Sequence, residues 1–400
     1  MNEKTHLTRN KCLFSLEIII IYFILHKVPI NGLDMSYYKH LSFDLAALTS
    51  LTINGSSRQC YVMSLGISPY ITASLLVMLI MAFRTKEQKA RTSPFAVQRL
   101  TLVFSFVIML GEACFYALEL KYLSQTVLSH LLAVFELMAG ASFVQYLVIK
   151  NKEHGVGAML PIILVNMIEG LVSIFAKSNW SELRIPLAIG IVAAIIMMFM
   201  ELSVKKIPLQ RVSVHNDYAS KNYLAIKFNP VGFMAIMFST ICFYIPCFGF
   251  KLLAHFLNLR IFNGLPNIQW IADNMILTKP LGAIVYVLIL FFLTVLLSLL
   301  FVNPKDISEG FLYSGDSIVN IPAGKKTKQY IFRWVLFLSS LSGLFVSSVL
   351  GLSLFLQFKE IVPTSLAMLP STFMMSMGIV CSLYFEIKAF HDFDSYKRFI

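Results

Sequence analysis

Charge is what this sequence has least of. Of its 400 residues, 14% are Asp, Glu, Lys or Arg and 57% are hydrophobic, whereas a soluble domain carries about 25% charged residues. That scarcity excludes an ordinary water-soluble fold and leaves almost no polar stretch for a separate soluble domain. Cysteines are few and scattered. Cys12, Cys60, Cys114, Cys242, Cys247 and Cys381 include no C-x-x-C pair, so neither a metal site nor a disulfide framework is expected. No Gly-x-x-x-x-Gly-Lys-Ser/Thr phosphate loop occurs, and "IPAGKKT" at 321–327 lacks both the upstream glycine and the strand context. Any work the protein does must therefore draw its energy from a partner. The first apolar run follows Lys4, Arg9 and Lys11 in the manner of a signal peptide. No small-residue cleavage site follows Ile30, however, so it reads as a retained span.

Long apolar runs are what the chain does have. Crossing hydrocarbon takes about 20 mostly apolar residues, and ten such runs fall at 13–30, 62–83, 96–118, 127–149, 157–176, 185–204, 230–256, 280–302, 331–353 and 364–387. With the N-terminus inside, 23 of the 33 Lys and Arg lie on the cytoplasmic side and 10 outside, which predicts cytoplasmic termini. The net charge of +12 then sits beside anionic headgroups and calls for no nucleic acid. Three loops stand out. The outer loop 31–61 is too polar to span, yet it carries Leu45, Leu48 and Leu51 at helical spacing. Loops 205–229 and 303–330 are basic and cytoplasmic.

Ten spans divide into five and five, and an odd number per half makes the repeats inverted in the membrane. The expected fold is an all-α membrane protein of two five-helix halves, 1–180 and 181–400. In such proteins, interrupted segments at matching positions point to the working site. Span two opens "SLGISPYITAS", with Gly66, Ser68 and Pro69 ahead of plain apolar helix. Span seven opens with Asn229, Pro230 and Gly232. Non-helical backbone at membrane depth is tolerated only where it faces protein or water, so both openings are expected to line a cavity.

These segments carry a family resemblance. "LGISPYITAS" at 65–74, "HGVGAML" at 154–160, "KFNPVGFMAIMFST" at 227–240, the 301–331 loop and "PTSLAML" at 363–369 resemble, in order, five segments of SecY, the central subunit of the protein-conducting channel. The chain departs from the housekeeping form at Ile321-Pro322-Ala323-Gly324, where an arginine is usual. It also has a short C-terminal tail and methionines in place of isoleucines at several pore positions. In these respects it is most similar to the accessory SecY of certain Gram-positive bacteria.

The resemblance implies a passive channel, not an enzyme, with an hourglass pore and no cofactor or metal. Its apolar ring would be Ile67 and Ile71, Leu164, Met234 and Met237, and Met368. Methionine, unbranched and adaptable, would let the ring close on cargo of varied bulk. Residues around 42–61, with Leu45, Leu48 and Leu51, would be the plug. A lateral gate would involve Gly66, Pro69, Thr72, Ser74, Pro230, Gly232, Ser239 and Thr240, although those hydroxyls can equally bond their own helix carbonyls. Lys205, Lys206, Arg211, Lys325, Lys326 and Lys328 would dock an accessory SecA-type ATPase. The remaining implied partners are accessory secretion proteins, small single-span Sec subunits, membrane lipids and a secreted serine-rich, glycosylated adhesin as cargo.

Two other classes compete. An ion-coupled transporter would use buried carboxylates, and Glu112, Glu136 and Glu169 lie inside runs. No matching buried base is evident for any of them, and a structural hydrogen bond is the plainer role for Glu136. An intramembrane protease would need a base beside Ser142, and no motif couples His130 or His255 to it.

Overall fold

The computed structural model describes residues 7–33, 60–84, 88, 91–120, 122–123, 126–210, 222–243, 246, 270 and 274–396. Leu45, Leu48, Leu51, Arg211 and His255 lie outside the described residues. Two compact units divide the chain, Met1–Asn179 with Ser382–Ile400, and Trp180–Cys381.

The first unit contains α1 (Leu7–Leu25), α2 (Ser68–Phe83), α3 (Pro94–Glu119), α4 (Val127–His154) and α5 (Leu160–Lys177). Starts are signalled locally. Ser93 caps α3 by accepting from the Ala96 N–H at 3.1 Å, with Pro94 following it, and Thr126 caps α4 in a reciprocal box with Ser129. Helix α2 packs on α3, α3 on α4, and α1 on both α4 and α5. Ala113, Ala117, Ala133 and Ala141 are buried in this core. Without hydrophobic drive inside lipid, small residues of this kind let helix backbones approach closely. Gly140 shows how closely, since a Cβ there would enter the carbonyl oxygen of Val62. The segments on either side of residues 34–59 are tied together. Ile30 N–H donates to Cys60 O at 3.0 Å and Val62 N–H to Val28 O at 2.9 Å, while Leu123 N–H reaches Gly32 O at 3.0 Å.

The second unit contains α6 (Trp180–Leu202), β1 (Val204–Gln210), β2 (Tyr223–Lys227), α7 (Met234–Phe243), α8 (Pro280–Val302), α9 (Pro304–Ser314), β3 (Ser317–Ile318) and α10 (Lys325–Phe358). After a 3-10 turn at Thr364–Leu366 comes α11 (Leu369–Tyr396), whose last part belongs to the first unit. Helices α8 and α10 pack along their length. Ser339, Ser342, Thr294 and Ser298 are buried there, each hydroxyl donating to a carbonyl one turn back on its own helix.

An all-helical expectation misses one element. Strands β2, β1 and β3 form an antiparallel sheet in that order, so segments of the two basic loops read as separate pair in one sheet. In β1, Ile207 and Leu209 point inward with Ile226 and Ile318 onto Ile331 and Val335 of α10, leaving Lys205 and Lys206 exposed. The alternation is only four residues long and sits among lysines, which hides it in a sequence otherwise explained by topology.

Among the described residues, six helices are long and apolar enough to span a membrane by length and composition, which makes this a multi-pass membrane protein. The other four apolar runs differ for identifiable reasons. Helix α1 carries Arg9, Lys11 and Glu17 in 19 residues. In the second and fifth runs the helices, Ser68–Phe83 and Leu160–Lys177, are shortened because each run opens with non-helical backbone, and in the seventh run the apolar helix is described over Met234–Phe243.

The packing at Gly140 is testable. Overpacking costs about 1–3 kcal/mol, so Gly140→Ala should lower the unfolding midpoint in mixed micelles. Gly111→Ala adds a methyl that meets nothing within 4 Å and should leave the midpoint unchanged or raise it. The reverse ranking would contradict the α4 packing.

Candidate functional site

The start of α2 is a chain of tight turns. Ser64 N–H donates to Tyr61 O at 3.0 Å, Gly66 N–H to Met63 O at 2.9 Å and Ser68 N–H to Leu65 O at 3.3 Å. Gly66 has φ +52°, a left-handed backbone that glycine adopts without the penalty of a Cβ. Pro69 then occupies the first helical turn, where no amide partner is needed. Ile67 and Ile71, one turn apart, share a face and are each 1% exposed. Thr72 and Ser74 donate to Ser68 O at 2.7 Å and Ile71 O at 2.8 Å, so both hydroxyls are satisfied by their own helix.

The start of α7 repeats the device with different parts. Asn229 Oδ1 accepts from Gly232 N–H at 3.1 Å, and Gly232 has φ +64°. Pro230 lies between them. Met234 follows half-buried, and Met237 is buried on the next turn. Ser239 and Thr240 both donate to Ile236 O, at 2.7 and 2.9 Å, and Thr240 also meets Tyr286 OH at 3.2 Å.

Two further helices begin on broken backbone, one in each unit. Before α5, Gly157 and Ala158 have φ +74° and +45°; Leu164 lies half-buried beyond them, next to fully buried Ile162 and Ile163. Before α11, Pro363 and the 3-10 turn lead to buried Met368. Each of the six residues expected in the ring thus lies within about two turns of one of the four irregular helix starts. The irregularity at α5 is held by a buried polar cluster. Asn151 Nδ2 donates to Val156 O at 3.0 Å and Ala158 O at 2.6 Å. Ser15 donates to Asn151 Oδ1 at 2.8 Å and accepts from Val156 N–H at 2.7 Å.

That cluster begins a polar seam between α1 and α5 which the sequence reading missed. Tyr22 OH donates to Asn166 Oδ1 at 2.7 Å, and His26 Nε2 lies 3.4 Å from Glu169 Oε2. His26 is the buried base for Glu169 that was not evident from sequence. Its ring also tilts against Tyr22 and stacks on Tyr61. The available signal was Ser15, Tyr22 and His26, spaced seven and four apart inside an apolar run, answered by Asn166 and Glu169 three apart. Glu136 is occupied differently. It accepts from Asn31 N–H at 3.0 Å and Asn31 Nδ2 at 2.7 Å in an exposed setting. The Ser142 hydroxyl meets Met109 Sδ at 3.4 Å, while His130 bonds Thr126 O and packs on Tyr122.

The expected docking lysines fall on the sheet and its border. Lys205 Nζ stands 4.6 Å above the Trp334 ring and Lys206 Nζ 4.8 Å above Tyr223. Lys325, Lys326 and Lys328 are exposed on the first turn of α10, the end of a helix where its dipole disfavours cations. Nothing in the helix itself rewards three lysines at that position.

Repeated broken helix starts followed by buried apolar residues define a polytopic membrane protein of the channel or carrier class. Its family is specific: the chain belongs to the SecY family, whose model matches residues 61–383. It is 28% identical to an accessory Sec system protein translocase subunit SecY2 from Streptococcus agalactiae, covering 94% of this chain and 92% of the relative. The corresponding Streptococcus sanguinis protein is 26% identical, covering 98% and 97%. A solved protein-conducting channel shares the fold at TM-score 0.66 and 16% identity, covering 95% of this chain and 92% of that one. So does a SecY structure concerned with plug stabilisation of the closed channel, at TM-score 0.62 and 16% identity.

The polar seam generates a ranking. Asn151→Ala removes three bonds and takes the side-chain donor from Ala158 O, while Val156 O keeps the Ser15 hydroxyl at 3.4 Å, which should cost about 2–4 kcal/mol. Tyr22→Phe removes one bond and should cost about 0.6–1.7 kcal/mol. Equal, negligible losses in detergent unfolding titrations would contradict the seam.

Proposed function

We propose that this chain is the central channel subunit of an accessory protein-secretion translocase in the cytoplasmic membrane. It passes unfolded polypeptide, a serine-rich glycosylated adhesin, and is driven by a SecA-type ATPase. The observation that carries this reading is the matched pair of broken starts at Gly66 and Gly232, each followed by apolar side chains. The similarity to accessory Sec translocase subunits supports it.

An extended chain cannot cross hydrocarbon with bare amides, because each unpaired group costs several kcal/mol there. A wet path with an apolar constriction meets that need and still seals when empty, since narrow hydrophobic rings dewet. Ile67, Ile71, Leu164, Met234, Met237 and Met368 form that ring. The two halves, 1–180 and 181–400, are inverted five-span repeats around it, and both termini are cytoplasmic. Residues about 42–61 form the plug, leaving the channel wall from the tied 28–33 and 60–62 segments. The starts of α2 and α7 belong to the lateral gate, with Gly66, Pro69, Thr72, Ser74, Pro230, Gly232, Ser239 and Thr240. The sheet, with Lys205, Lys206 and Arg211, and the α10 cluster Lys325, Lys326 and Lys328 receive the ATPase. Small single-span subunits and accessory secretion proteins complete the assembly.

Co-purification from native membranes tests this. A SecA-type ATPase and a serine-rich adhesin should accompany the protein. The triple variant Lys325→Glu, Lys326→Glu, Lys328→Glu should lose ATPase binding in a salt-sensitive way. Recovery of a bound small solute and no ATPase would contradict the reading.

A further inference from the structure

Glu201 is a carboxylic acid that the proposed mechanism does not use. It ends α6, is 3% exposed, and lies under the start of α7. Asn229 Nδ2 is 3.5 Å from its Oε1 and 3.6 Å from Met197 Sδ. The other end of the same amide, Oδ1, accepts the Gly232 N–H that shapes the turn. Gly232 has no side chain to spare room for, since a Cβ there would stand 2.6 Å from Glu201 Oε1. The glycine, the asparagine and the acid therefore interlock: the carboxyl orients the amide, the amide holds the turn, and the missing Cβ leaves space for the carboxyl.

The same corner joins the sheet. Ser203 O, two residues past Glu201, accepts from Phe228 N–H at 3.0 Å, and Val204 pairs with Lys227 where β1 begins and β2 ends. Lys227 is the charged neighbour of the Glu201 carboxyl. Helix α6, the sheet and the first turn of α7 thus meet at one acid.

We infer that Glu201 is the positioning residue for the start of α7: as a hydrogen-bond acceptor filling the space under Gly232, it sets the Asn229–Gly232 turn and hence the placing of Met234 and Met237. The inference rests on the proposed reading of α7 as part of a sealed conduit. It separates acceptor and shape from charge. Gln supplies the same acceptor and volume without charge, whereas Asp keeps the charge but is one methylene too short.

The test is resting potassium chloride efflux from phosphatidylglycerol/phosphatidylcholine vesicles holding the purified full chain. Glu201→Ala and Glu201→Asp should raise efflux about fivefold or more, the factor carried by one ordinary hydrogen bond. Glu201→Gln should stay close to the unmodified protein. Met237→Gly, which opens the ring directly, should leak as well. A tight Glu201→Ala beside a leaky Met237→Gly overturns the role of Glu201 alone. Glu201→Gln leaking like Glu201→Ala overturns it in favour of a charge. A tight Met237→Gly overturns the conduit reading itself. If Glu201→Ala does not accumulate in membranes, Asp against Gln decides in the same way.

Discussion

A helix that begins inside a membrane leaves backbone N–H groups with no carbonyl a turn earlier and no water to replace it. Every structure that starts helices away from water has to satisfy those groups internally, and four helix starts of this protein show four sets of parts for doing so. Before α2, successive backbone turns through Gly66 take up the amides. Before α7, the Asn229 side chain does. Before α5, Ser15 Oγ accepts from Val156 N–H, and Asn151 Nδ2 donates to the carbonyls of Val156 and Ala158. Before α11, a 3-10 turn after Pro363 serves, with Leu366 N–H donating to Pro363 O at 2.9 Å.

Meeting that constraint has a consequence for function. A continuous span offers lipid and protein the same uniform helix, whereas a satisfied break ends in a compact turn and starts a helix with its first side chains already packed against protein. Ile67, Met234 and Met368 follow their turns immediately, and all are apolar. Of the surrounding hydroxyls, Thr72, Ser74, Ser239 and Thr240 are bonded to their own helices, while the buried Ser64 Oγ before α2 has no partner among the described residues. The side chains that follow the breaks are therefore apolar and buried or half-buried, the character that the proposed dewetting constriction needs.

Much of this was readable in advance, and the reason is periodicity. Apolar runs, their interruptions by Gly66, Pro69, Pro230 and Gly232, and the basic loops are local signals that survive in one sequence. What escaped required partners far apart in the chain. The sheet joins 204–210 to 223–227 and 317–318, and no short alternation announces such pairing. The α1–α5 seam needs Tyr22 to find Asn166 and His26 to find Glu169, so Glu169 looked solitary. Glu201 and Gly232 are likewise legible only together, since the value of the glycine lies in what the acid occupies.

The most direct measurement is site-specific crosslinking to a polypeptide stalled midway by a folded C-terminal domain, in a background with the native cysteines replaced by serine. Ile71→Cys, Met237→Cys and Met368→Cys should each form a disulfide with a cysteine placed in the stalled stretch. Val107→Cys and Phe292→Cys, at exposed positions on α3 and α8, should not. Disulfides at Val107 and Phe292 with none at the three buried positions would contradict a conduit lined by the broken helices.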